Sequence, residues 1–324
     1  MNSDRAALVE AARIAIARGS KSFSAASRLF DRTTRERAWL LYAWCRRTDD
    51  LIDGQDHGHG LTAIDDAPAR LALIRDLTAR ALAGERTGDP AFDALGVVAA
   101  ECAIPHALPF DVIEGFALDA AGFCPRSEDD LLRYCYHVAG AVGVMMAIVM
   151  GVPADDDATL DRACDLGLAF QLANIARDLS EDDAVGRCYV PMDWLSDYDI
   201  PPGELMRPIY RKRAGLVGCR LATLAAGYEE SARAGTPALP FRSAWAVLAA
   251  AGIYGDIARE VIRRRDHSWD RRIVTTKADK LGWIAKAGGQ ALRRQRFAGK
   301  PRDGLWTRPR TARQSEDCAD HHSA

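Results

Sequence analysis

Two acidic stretches, RRTDDLID at 46–53 and QLANIARDLSED at 171–182, hold the residues best suited to chemistry in this chain. In the first, Asp49 and Asp53 stand at i and i+4, so on a helix their Cβ atoms are neighbours about 5–6 Å apart. In the second, Gln171, Asn174, Asp178 and Asp182 follow steps of three, four and four, which keeps all four on one helical stripe. An acidic stripe is costly to bury unless positive charge sits against it. Hard oxygen ligands suit Mg²⁺, which takes one or two carboxylates and completes its shell with water and substrate phosphate. Two such stripes facing each other would hold a polyphosphate between metal ions.

Each stretch has a plainer reading. The first is also what a solvated helix face looks like, with Arg46 and Arg47 paired to acids. The second is harder to explain that way. Asn174, Arg177, Asp178 and Asp182 are set among Leu166, Leu168, Phe170, Leu172, Ile175 and Leu179, where a purely structural stripe would need four satisfied polar groups. Cations suited to phosphate accompany both: Arg46 precedes Asp49 by three, Arg177 abuts Asp178, and Arg187 follows in GRCYVP. Tyr254 lies in the apolar run AWAVLAAAGIYGDI, and Arg271 and Arg272 close the segment after it. GSKSF at 19–23 reads equally as a flap over a site or as a Ser-rich turn with an N-cap.

The elements that must position these residues read as helix throughout. Long Ala/Leu/Arg-rich segments lack the alternation of strands, and Gly/Pro breaks delimit roughly eight to ten helices. The expected class is all-α, one helical domain over 1–297, with a basic and polar tail at 298–324 whose composition favours disorder. Val138 to Ala154 is 17 uncharged residues, at the lower edge of bilayer-spanning length. Its glycines and Pro153 favour a buried helix, with membrane immersion the alternative. Ala139, Gly140, Ala141 and Gly143 permit either close helix packing or space for a ligand beside Val142, Met145, Met146 and Ile148. A net charge of −2 gives no global field for nucleic acid. Eight cysteines without a CxxC pair read as buried reduced thiols of a cytoplasmic protein, and the N-terminus shows no secretory signal.

These residues resemble the squalene and phytoene synthases, head-to-head isoprenyl diphosphate synthases, over about Gly19 to Phe297. YCYHVAGAVGVMMAIV at 134–149 looks like one signature of that family and LGLAFQLANIARDLSEDDAVGRCYVP at 166–191 like the other. KSFSAASRLFD, LYAWCRRTDDLIDGQ, VMMAIVMGV and FRSAWAVLAAAGIY give the flavour of bacterial phytoene synthases of carotenoid pathways. The resemblance implies the isoprenoid synthase fold, a helical bundle around a central apolar cavity. It implies that Asp49, Asp53, Asn174, Asp178 and Asp182 bind diphosphate through Mg²⁺, or Mn²⁺ in its place. Arg46, Gln171, Arg177, Arg187, Tyr254 and Arg271 match positions that contact diphosphate or close the site. Ser20, Ser22 and Phe23 match the flap, and Tyr134 and Asp119 match polar residues near the reacting carbons. Two geranylgeranyl diphosphates would then condense through prephytoene diphosphate to phytoene, releasing two diphosphates, without NADPH.

The chain departs from the family at Gly19, where several relatives carry His, and at Phe116 and Ala117 within EGFALD. Both departures bear on flap contacts and pocket shape, and neither touches the acids. The rival readings are a squalene or dehydrosqualene synthase acting on farnesyl diphosphate, and a catalytically inactive helical scaffold. A head-to-tail synthase would carry a second DDxxD rather than NxxRDxxxD. Apolar substrates and products make the membrane surface an expected location. The basic run from Arg293 to Arg313, eight cations against one Asp, reads equally as a contact with anionic lipid or as a solvated tail.

Overall fold

The computed structural model describes residues 2–19, 26–53 and 67–310, so Ser20, Ser22 and Phe23 lie outside the described residues. Among these residues there are helices and no strand. In chain order they are α1 (Asn2–Gly19), α2 (Arg32–Asp53), α3 (Ala67–Leu82), α4 (Pro90–Cys102), α5 (Ala107–Ala120) and α6 (Glu128–Cys135). A π-helical turn at Tyr136–Gly140 leads into α7 (Ala141–Val149). Then come α8 (Asp157–Ala184), α9 (Met192–Asp197), α10 (Arg211–Arg233), α11 (Phe241–Arg264) and α12 (Lys277–Leu292). The count exceeds the expected eight to ten because α9 is a short extra helix and the π turn divides the apolar stretch.

Helix α8 is the axis of the molecule, packed by α7, α10, α11 and the π turn. Its start is fixed by Asp156, whose carboxylate accepts from the Thr159 amide at 3.0 Å. The small residues around 140 serve backbone contact: a Cβ on Gly167 would lie 2.4 Å from the Ala139 carbonyl, and one on Gly143 2.5 Å from that of Ala163. Close packing is therefore the answer at Gly140 and Gly143. Met145 and Ile148 are buried, while Val142 and Met146, one turn apart, keep some accessibility. The apolar stretch is a core helix, with 61% of its most apolar window buried inside the fold. Trp44, Trp194, Tyr136, Tyr228 and Phe92 are fully buried in the core. Each large side chain removed from water contributes about 1.5–3 kcal/mol.

The tail expected from residue 298 is described only as far as residue 310, and residues 311–324 lie outside the described residues. Residues 298–310 run as an ordered strap along the body. The Trp306 indole donates to Asp129 at 2.9 Å, and its amide donates to the Tyr228 hydroxyl at 3.2 Å. Arg302 forks the fully buried Asp165 at 2.7 and 2.9 Å. Arg308 pairs with Asp161 at 2.9 Å, and Arg310 pairs with Asp157 at 2.7 Å and Asp161 at 3.1 Å. A segment that reads as disordered by its own composition is ordered by carboxylates that lie elsewhere in the chain.

Candidate active site

The first acidic group stands near the end of α2. Arg46 pairs with Asp49 at 3.2 Å and with Asp50 at 2.7 Å. The two acids differ in exposure: Asp49 is 46% exposed in its side chain and Asp50 only 7%. Asp50 thus orients Arg46 from below, while Asp49 is the more accessible of the two. Sequence reasoning passed over Asp50, although its step of one from Asp49 puts it on a different side of the helix. Asp53 is the last residue of α2. The hydroxyl of Tyr42, one turn before Arg46, would lie 2.5 Å from a Cβ at position 19. Gly19, a departure from the family pattern, therefore leaves room for Tyr42.

The second group forms the partly accessible stripe of α8. Gln171, Asn174, Asp178 and Asp182 all retain accessibility, whereas Leu172, Ala173, Ile175, Ala176 and Leu179 between them are buried. Arg177 donates from Nε to Asp178 at 2.7 Å, and Arg272 pairs with the same carboxylate at 2.8 Å. Among the described residues, the Asp182 carboxylate and the amides of Gln171 and Asn174 have no hydrogen-bond partner. Burial, then the charge of Asp178, pushes the Asp182 carboxyl up to about 6, against the pull of Arg187. Gly186, at φ 75°, turns the chain after α8 and brings the Arg187 amide to the Asp182 carbonyl at 2.9 Å.

A third group comes from α5, α6 and the segment after α8. Tyr134 donates its hydroxyl to Asp119 at 3.0 Å, and Tyr189 donates to the same carboxylate at 2.9 Å. The rings of Phe123, Tyr134 and Tyr189 stack in series, with centroids 5.2 and 4.9 Å apart. Burial, reinforced by the Asp119 charge, holds both phenols protonated, that of Tyr189 pushed up to about 12. The Asp119 charge also acts on Asp182, so this group and the α8 stripe share one field. Tyr189 is a residue that sequence reasoning missed, although CYVP lay within the quoted signature.

Two expected residues sit differently from their neighbours. Tyr254 on α11 stacks on Phe170 of α8, centroids 4.1 Å apart, and shares the field of Arg177. Arg271 is exposed, and it is Arg272 that reaches Asp178 and, at 2.9 Å, Glu181. The stripe thus has one cation from its own helix and one from the loop after α11. Among the described residues no three acidic, His or Cys side chains converge into a ready metal cage. An accessible carboxylate of raised pKa beside a second carboxylate and the Gln171 and Asn174 amides instead fits a divalent ion that takes part of its shell from a ligand's phosphates.

Comparison with known proteins gives the family. The family model for squalene/phytoene synthase matches residues 16–279. The phytoene synthase of Pseudescherichia vulneris is 44% identical over 305 residues, covering 93% of this chain and 98% of its own. The 15-cis-phytoene synthase of Pantoea ananas is 46% identical over 294 residues, covering 90% and 94%. Among solved structures, a dehydrosqualene synthase in complex with ligand superposes with a TM-score of 0.79 at 25% identity, covering 90% of this chain and 99% of its own. A squalene synthase from Alicyclobacillus acidocaldarius gives 0.70 at 26%, covering 82% and 96%. The all-helical architecture is that of the isoprenoid synthase fold, and the chain belongs to the squalene/phytoene synthase family.

Proposed function

We propose that this chain is a 15-cis-phytoene synthase, a prenyltransferase that condenses two geranylgeranyl diphosphates head to head through prephytoene diphosphate and releases two diphosphates. The observation that carries the reading is the α8 stripe: Asn174, Asp178 and Asp182 stand open on one face, beside Arg177 and Arg272, in a chain 44–46% identical to full-length phytoene synthases.

Asp49, Asp178, Asp182 and Asn174 would hold Mg²⁺, with Asp53 completing the first motif. The ion would supply positive charge to a diphosphate leaving group. The chain's own residues do the remaining work. Arg46, Arg177, Arg187 and Arg272 neutralise negative charge as it grows on the departing oxygens. Gln171 and Asn174 present amide donors to the same oxygens. Tyr254, stacked on Phe170, and the accessible Val142 and Met146 furnish apolar surface that keeps water from the cations formed on ionisation.

The final proton needs an acceptor, either the released diphosphate or, through its hydrogen bond to Asp119, Tyr134. In the Tyr134 route its oxygen takes the proton from carbon while its own proton passes to Asp119, so no phenolate forms. Tyr134→Phe is expected to lower turnover of prephytoene diphosphate about 10²-fold; an unchanged rate removes Tyr134 from the role. The reading as a whole is tested by incubating the purified chain with geranylgeranyl or farnesyl diphosphate and Mg²⁺, with and without NADPH, and identifying the hydrocarbon. Phytoene formed without NADPH is the expected product. Squalene or dehydrosqualene from farnesyl diphosphate as the preferred reaction would replace the reading, and absence of any diphosphate release would favour a scaffold.

A further inference from the structure

Helix α12 is apolar on two sides. Its inner side packs on α11: Ala287 and Ala291 are fully buried, and a Cβ on Gly252 would lie 2.1 Å from the Trp283 indole. Its outer side repeats Ala278, Leu281, Ala285, Gly289 and Leu292 at steps of three, four, four and three, and all five are exposed. Leu281 is 67% and Leu292 73% exposed, and Val274, just ahead of the helix, is 69% exposed. A Cβ added at Gly282 or Gly289 would meet no atom within 4 Å.

No charged residue interrupts this outer stripe. Lys277 lies along one edge, and Lys286 and Arg293 lie along the other. The Lys286 ammonium stands 4.2 Å over the Trp283 ring, which keeps it beside the stripe. The one carboxylate of the helix, Asp279, accepts from the Thr276 hydroxyl at 2.6 Å in the N-terminal cap. A helix bordering water ordinarily turns its charged side outward. An uncharged outer stripe edged by Lys and Arg is instead the pattern of a helix lying in a lipid interface.

We infer that α12 seats this protein on an anionic bilayer, with the Leu281–Leu292 stripe at the headgroup boundary and the edge cations on lipid phosphates. A second copy is a poorer occupant. Pairing two such stripes would set Lys277, Lys286 and Arg293 against their own kind with no carboxylate to separate them. The cations of the strap are also poorly placed for lipid, because Lys300, Arg302, Arg308 and Arg310 already engage Glu230, Asp165, Asp161 and Asp157. On this inference the membrane contact lies at α12 rather than at residues 300–310. Because α12 packs on α11, which carries Tyr254, the bilayer would lie against the outer side of a wall of the candidate site.

The test is co-sedimentation of the full chain with phosphatidylglycerol vesicles and with phosphatidylcholine vesicles, a readout that needs no turnover. The unmodified chain is expected to bind the anionic vesicles and to release as salt rises. The double variant Leu281→Glu/Leu292→Glu changes only exposed positions and is expected to bind about tenfold more weakly or worse. Lys286→Glu/Arg293→Glu is expected to lose about fivefold per charge. Ala285→Leu, which adds apolar area to the same stripe, is expected to bind more tightly. The inference is overturned if the Leu281/Leu292 variant binds like the unmodified chain. It is also overturned if the unmodified chain ignores anionic vesicles, or if those variants dissociate a dimer while leaving vesicle binding intact.

Discussion

The two ends of α8 carry nearly the same pattern and put it to opposite uses. Asp157, Asp161 and Asp165 repeat at intervals of four along its N-terminal half, as Asn174, Asp178 and Asp182 do along its C-terminal half. On the first stripe the chain supplies every cation: Arg302, Arg308 and Arg310 of the strap occupy it, and Ser231 adds a hydroxyl to Asp165. On the second stripe, Asp178 has its arginines while Asp182 stands without a hydrogen-bonded cation among the described residues. Burial raises the carboxyl of Asp165 as it raises that of Asp182. What separates structural acids from candidate ligand acids is therefore neither spacing nor desolvation. It is whether the fold completes the charge or leaves that to a ligand.

Substitution should break the comparison along this line. Asp178→Asn and Asp182→Asn are each expected to lower kcat/KM about 10³-fold, since on the proposed reading each removes a carboxylate that would hold the Mg²⁺ facing the diphosphate. For Asp182→Asn the stability change at pH 7 should run the other way, a gain of about 1–3 kcal/mol. Its folded pKa of about 6 exceeds the unfolded value of 3.8, so its contribution to stability is present at low pH and is lost as pH rises through 6. The structural stripe should respond in the opposite sense. Arg302→Ala strands the fully buried Asp165 and is expected to cost about 3–5 kcal/mol in urea unfolding, with the turnover of the folded fraction unchanged. Replacing both partners, Asp165→Leu with Arg302→Met, should recover most of that loss, because a buried pair adds little over apolar packing of similar size. A strap that contributes to catalysis rather than to stability would give the reverse pattern.

How much of this was legible in the sequence follows from the range of the interactions. The helices and the polar stripe of α8 are local periodic patterns, and both appear where the periodicity puts them. The Asp157/Asp161/Asp165 stripe has equally clear periodicity, yet its meaning depends on arginines 137 to 153 residues further on. The strap looked disordered because composition measures what a segment can bury by itself, whereas this one is held by charge on another helix and by Leu305 and Trp306. Glycines 140 and 143 suited both packing and a cavity until the approach of α8 decided for packing. Arg271 and Arg272 are adjacent in a loop, where no periodicity tells which one turns inward. The flap at 20–23 lies outside the described residues.

Two smaller tests sharpen the contrast. The open carboxylate predicts a pH dependence that a completed stripe lacks. Asp182 must be ionised to bind a divalent ion, so Mn²⁺ affinity in the absence of substrate, read by electron paramagnetic resonance, should fall about tenfold between pH 7 and pH 5. Asp182→Asn should flatten that fall, and a fall that persists would assign the titration to another group.

The smallest effect concerns the loop cation. Arg272 spans Asp178 and Glu181 at 48% side-chain exposure, so as an ion pair it adds little stability. On the proposed reading its value would lie in following the diphosphate as charge develops. Arg272→Ala should leave the melting temperature within a degree or two and lower kcat about tenfold. Arg271→Ala, at the exposed neighbouring position, should do neither. Equal losses from both substitutions would mean that the loop offers its two arginines together, and the second stripe would then draw on a larger mobile cation supply than the arrangement around Asp178 displays.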